Sequence, residues 1–164
     1  GLLFNYRHFY GSYDYVGASK RWYKREVRVV RNDKNIYSFR DAQGFQKEDR
    51  PLRVKPVEAT IHHYGWVKDP RIMQRKQEEF NKLWHDDKWV AKNIPKASEF
   101  DYSEIDSLMR FDGKHPIVMQ DRIARVNWKF DHDLTLNTLS VKDRLKKTLE
   151  KLGIEAGYKN YKII

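Results

Sequence analysis

The chain has 164 residues, with 33 Lys+Arg against 23 Asp+Glu for a net charge of +10, and it contains no cysteine. The length suits one domain of ordinary size, and 14% aromatic residues supply apolar area that a disordered chain lacks. The absence of cysteine excludes disulfides, zinc-thiolate sites, iron–sulfur clusters and thiol nucleophiles, leaves His, Asp and Glu as the strong metal ligands, and is compatible with a reducing cytoplasm.

No apolar run approaches the roughly 18 residues that cross a bilayer, and no signal peptide is read. Positive charge attracts phosphates, nucleic acids and anionic surfaces without specifying a fold. The excess sits at the ends: residues 1–31 hold seven Lys/Arg against two acids, and residues 139–164 hold seven against three. A solvated basic surface and a dedicated anion-binding face both fit that distribution.

In chain order, Gly1-Leu2-Leu3-Phe4 opens without an initiator methionine and is expected to lie inside a longer protein. The aromatics from Phe4 to Tyr15 read either as core or as a base-stacking platform beside Lys20, Arg21, Lys24 and Arg25. Arg25–Arg31 alternates as a strand, Asn32–Asn35 has turn composition and Ile36–Phe39 resumes strand character, which predicts a β-hairpin. Leu52–Val54 and Val57–Tyr64 carry further strand signal, the latter with Val57, Ala59, Ile61 and His63 on one face.

Pro70 begins a helix whose Met73, Phe80, Leu83 and Trp84 share one side, predicted to bury against the sheet. A second short helix around Trp89, Val90 and Ile94 stops at Pro95, and a third is expected within Pro116–Trp128. Ser140 with Asp143 three residues on resembles a capping box, followed by Val141, Leu145, Leu149 and Leu152 at helical spacing and a stop at Gly153. The fold class is α+β: short mixed or antiparallel strands over residues 1–67, then mostly helix over residues 68–164.

No Gly-rich phosphate loop, His-Glu-x-x-His or Gly-x-Ser-x-Gly motif is present. Chemistry-bearing residues gather instead at predicted strand ends. Asp41, in Ser38-Phe39-Arg40-Asp41-Ala42-Gln43-Gly44-Phe45, reads as a base, a metal ligand or a turn-forming carboxylate. In His62-His63-Tyr64-Gly65-Trp66 the adjacent imidazoles point to opposite faces of a strand, so only one can serve a site. His63 shares the facing of Ile61 and Ala59 and reads as a ligand or a hydrogen-bonded core histidine, while His62 reads as a surface residue. Asp131-His132-Asp133 reads as a hard-cation site or a solvated acidic loop.

Taken together, Arg25-Glu-Val-Arg-Val-Val-Arg-Asn32, Phe39-Arg-Asp41-Ala-Gln-Gly-Phe45 and His63-Tyr-Gly-Trp-Val67, with Pro70, Lys76 and the tail Tyr158-Lys-Asn-Tyr-Lys162, resemble the C-terminal half of bacterial family-two glycosyltransferases. The resemblance runs from about Tyr10 to the C-terminus. It implies a GT-A fold of the α/β type that transfers a sugar from a nucleotide-sugar to an acceptor hydroxyl with inversion, assisted by Mg²⁺ or Mn²⁺ on an Asp-x-Asp motif. In that family the nucleotide-binding strands and Asp-x-Asp precede the matched segment, so the chain is expected to be an acceptor-side part, inactive alone. Asp131-His132-Asp133 follows His-Tyr-Gly-Trp and does not replace that motif.

Carried over, the resemblance places Asp41 by the acceptor or metal as the catalytic carboxylate and His63 on the metal or diphosphate. Arg40, Tyr64 and Trp66 then line the nucleotide-sugar cleft. Related transferases have His-Glu where this chain has Asp41-Ala42. The implied partners are a nucleotide-sugar donor and a glycan acceptor, with self-association and peripheral contact with the inner membrane from the cytoplasm also expected, and no nucleic acid. Two other classes stay open: a non-catalytic interaction or dimerisation domain with an exposed apolar patch, and a basic nucleic-acid-binding module.

Overall fold

The computed structural model describes residues 1–39, 44–94, 96–152 and 160–164. Its strands are β1 (Leu2–Tyr10), β2 (Tyr15–Gly17), β3 (Arg25–Val29), β4 (Ile36–Phe39), β5 (Gly44–Lys47), β6 (Arg50–Trp66), β7 (Leu108–Arg110) and β8 (Tyr161–Ile163). Its helices are α1 (Pro70–Lys82), α2 (Asp87–Asn93), α3 (Gln120–Ala124) and α4 (Val141–Lys151). The architecture is α+β, with a mostly antiparallel sheet in the order β4-β5-β6-β1-β2-β7, β3 added on β1 and β8 on β6. Two units share the chain: Gly1–Arg7, Ser19–His63 and Leu139–Ile164 form one, His8–Ala18 and Tyr64–Thr138 the other.

The first unit is built on alternation. Leu3, Val27, Leu52 and Val54 come from β1, β3 and β6 to form its core, with Ile36, Phe45 and Tyr161 packed against them. The predicted hairpin between Arg25 and Phe39 is not the pairing that forms. β3 instead pairs with β1, Leu3 opposite Val27 and Phe4 opposite Glu26, because the N-terminal strand offers it an apolar partner. β4 pairs with β5, from Ile36 opposite Lys47 to Phe39 opposite Gly44, and Lys47 bonds Asp33 at 2.7 Å.

The turn from β5 into β6 places Glu48 and Asp49 at φ 52° and 59°, the left-handed pair that a two-residue hairpin requires. The Tyr37 hydroxyl secures it, accepting from the Asp49 amide at 3.0 Å and donating to the Asp49 carboxylate. The two predicted strands that follow are one strand, β6, of 17 residues, and β8 runs parallel to it from Leu52 opposite Tyr161 to Val54 opposite Ile163. The predicted buried face of Val57–His63 is not observed: Ala59 is exposed, while Ile61, His62 and His63 are all half-buried. In the same unit the Ser140–Asp143 capping box forms as predicted, with the Asp143 amide donating to Ser140 Oγ at 3.1 Å. Gly153, Asp41, Arg40 and Pro95 lie outside the described residues.

In the second unit the N-terminal aromatics are core. Phe9, Tyr10, Tyr13 and Tyr15 are buried, so none of them offers an open face to a base. Phe9 pairs with Val16 across β1 and β2, and β7 continues the sheet with Met109 opposite Val16. Asp69 caps α1 by accepting from the Arg71 amide at 2.9 Å, and Pro70 takes the first turn as predicted. Met73 is buried, but Phe80, Leu83 and Trp84 are 54%, 72% and 61% exposed, contrary to their predicted burial. Phe80 lies two turns along the same stripe as Met73, beyond the covered part of the helix. The segment predicted as a third helix splits into a 3-10 turn at Ile117–Met119 and the five-residue α3; Ile117 and Val118 face solvent, while Met119, Ile123, Val126 and Trp128 pack on the core.

Gly11 turns the chain between β1 and β2 with φ 71°, and a Cβ there would meet the Phe130 ring at 2.5 Å. Gly11→Ala is expected to destabilise the protein by about 2 kcal/mol or more, read as a lower denaturation midpoint in urea.

Candidate functional site

The His63-Tyr64-Gly65-Trp66 motif ends β6, and the residue that fixes it comes from α1. Lys76 Nζ donates to the Gly65 carbonyl at 2.8 Å and stands 5.4 Å from the Trp66 ring centroid. A helix that starts four residues after Trp66 brings its second turn back over the strand end. Lys76 is half-buried; burial first, and Lys68 second, lowers its pKa below the ordinary lysine value. The Trp66 carbonyl accepts from the Gly11 amide at 3.0 Å, and its ring lies 6.0 Å from Tyr10 and 6.1 Å from Phe100. The indole is therefore pinned at its backbone and along one side.

Tyr64 belongs to the same unit and leads into a polar pair inside an aromatic cluster. Its hydroxyl meets His115 Nδ1 at 2.8 Å, its ring stacks on Phe9 at 4.7 Å, and Tyr13 lies 5.3 Å away. Burial, and then Tyr13, pushes the Tyr64 phenol up to about 12, while burial lowers the pKa of His115. Both groups are neutral at pH 7, and the tautomer of the imidazole sets which of the two donates. Sequence reading missed His115 because it sits in an irregular segment ahead of Pro116, where no periodicity marks a facing.

His63 lies in the first unit. Its ring is 5.7 Å from Tyr6, which in turn is 5.0 Å from Tyr23. Arg28 donates to the Tyr6 hydroxyl at 2.8 Å and to the Glu26 carboxylate at 2.7 Å. Burial raises the Glu26 pKa, outweighing the opposing effects of Tyr23 and Arg28. Glu26 and Arg28 are two apart on β3 and hence on one face, a spacing legible in Arg25-Glu-Val-Arg that sequence reading left unused.

Asp131-His132-Asp133 serves structure. Asp131 accepts from the Tyr15 hydroxyl, His132 Nε2 bonds Asn137 Oδ1 at 2.8 Å, and Asp133 accepts from the Thr135 amide at 2.9 Å. Among the described residues no group of three or more His, Asp or Glu side chains could hold a metal ion. The described residues around His63 therefore do not make a cation site by themselves. With Arg40 and Asp41 outside the described residues, the structure brings Lys76 onto Gly65 and Trp66 and leaves His63 beside Tyr6 in the other unit.

No helix among the described residues is long and apolar enough to cross a membrane. No family model matches the chain, and neither a curated protein nor a solved structure matches it.

His115 generates a pH dependence. Because folding holds its pKa down, the unfolded chain takes up the proton first; stability falls as pH drops below about 6.5 and levels off below the folded value. Thermal melts across that window should show the slope, and His115→Gln should reduce it.

Proposed function

We propose that this chain forms the acceptor-facing part of an enzyme that transfers a sugar from a nucleotide-sugar to an acceptor hydroxyl. The observation that carries this reading is the contact of Lys76 with Gly65 and Trp66. The residues that resemble the glycosyltransferase motif, eleven positions apart, make one physical unit that holds an indole at a strand end. A fixed aromatic face is suited to the apolar side of a pyranose ring.

In this reading the acceptor oxygen attacks the anomeric carbon, the bond to the departing diphosphate breaks, and a carboxylate takes the hydroxyl proton. Asp41 is the assigned base. By the resemblance, Arg40 and His63 are assigned to the diphosphate, and Tyr64 and Trp66 to the nucleotide-sugar. Mg²⁺ or Mn²⁺ belongs to this proposal through the resemblance alone, and the roles given to these side chains do not depend on it.

A dimerisation or interaction domain is favoured by one specific observation, the exposure of Phe80, Leu83 and Trp84 on α1. A turnover assay separates the two readings. The full-length protein is supplied with nucleotide-sugars and glycan acceptors, and nucleoside diphosphate release is followed. Transfer is expected, with kcat lowered about a hundredfold or more by Asp41→Asn. Trp66→Ala should raise the acceptor KM. Unchanged kinetics in both variants would reject these assignments, and absence of transfer with self-association through α1 would favour the interaction domain.

A further inference from the structure

Helix α4 is amphipathic in the inverted sense. It buries the carboxylate of Asp143, 6% exposed, and turns Val141, Leu145 and Leu152 to solvent at 81%, 61% and 71%. Asp143 is anchored from both sides: Ser140 Oγ donates to it at 2.5 Å and the Lys20 amide at 3.2 Å. That polar anchor decides which side of the helix faces its own unit. Val141, Leu145, Leu149 and Leu152 recur at intervals of four, four and three, so the outward residues belong to one stripe. The helix also carries five Lys/Arg against two acids, with Lys142 and Arg144 exposed.

Charge and stripe together select the occupant. The three exposed aliphatic side chains fall well short of the roughly 800 Å² per partner of a stable protein interface, and a second copy of the helix would bring like charges together. Nucleic acid would satisfy the cations but offers no medium for leucine. An anionic bilayer satisfies both, the acyl boundary taking the apolar stripe and the headgroups taking the cations.

We infer that α4 docks this protein on an anionic lipid surface, lying in the interface with Val141, Leu145 and Leu152 inserted and Lys142 and Arg144 on the headgroups. This site is independent of sugar transfer and needs neither donor nor acceptor. The helix lies on the membrane rather than across it.

The test is co-sedimentation of the protein with vesicles of phosphatidylcholine alone and of a one-to-one mixture with phosphatidylglycerol. Binding is expected to the mixed vesicles only, and to weaken as salt is raised. Leu145→Asp should weaken it about tenfold or more, and Lys142→Glu with Arg144→Glu by a similar factor, whereas Leu145→Met should keep it. Leu145 is already exposed, so circular dichroism should be unchanged in each variant. Binding to neither vesicle, equal binding to both, indifference to Leu145→Asp, an α4-dependent dimer without lipid binding, or binding to an oligonucleotide alone would each overturn the inference.

Discussion

A lysine ammonium brought partly out of water onto a strand end is the constraint on which the candidate site depends. Lys76 reaches Gly65 and Trp66 only because Asp69 caps α1 and Pro70 starts it directly after β6. Desolvation of the ammonium opposes this arrangement, and a carbonyl and an indole face offset it; a contact of the latter kind contributes about 0.5–2 kcal/mol. Arg71 adds to the start of the helix, holding the Asp69 carboxyl down to about 2 through a side-chain hydrogen bond. The motif is therefore set by local chain geometry as well as by the core beneath it.

How much of this was legible in the sequence varies with the physical signal. Capping chemistry was clear: Pro70 and the Ser140–Asp143 pair announce α1 and α4 because a side chain must meet a free backbone amide within one turn. Strand pairing was not. Arg25–Val29 and Ile36–Phe39 look like neighbours in sequence, yet β3 takes β1 as its partner, a choice fixed by Leu3 and Val27 meeting in the core rather than by turn composition. β1 itself was hidden, since its aromatics read as core without revealing a strand.

Burial along helices was the other limit. Met73 and Phe80 sit on one stripe, and only the first is covered; the period fixes a direction, whereas coverage depends on where the neighbouring element ends. The same distinction applies to α4, whose apolar stripe is legible as helical spacing and whose Val141, Leu145 and Leu152 face outward while Asp143 is the anchored group. For the site, the spacing of His63-Tyr64-Gly65-Trp66 and Lys76 could be read directly, but the partner of Tyr64 could not. His115 becomes its neighbour through tertiary packing, 51 residues away.

On the proposed function, this chain presents a face to an acceptor sugar. The most direct measurement is a calorimetric titration of the chain with oligosaccharide acceptors, with nucleoside diphosphates and with a single-stranded oligonucleotide, each at low and moderate salt. Heat is expected from a saccharide, little sensitive to salt and lost in Trp66→Ala, with no comparable heat from the oligonucleotide. Salt-sensitive binding of the oligonucleotide with silent saccharides would contradict it.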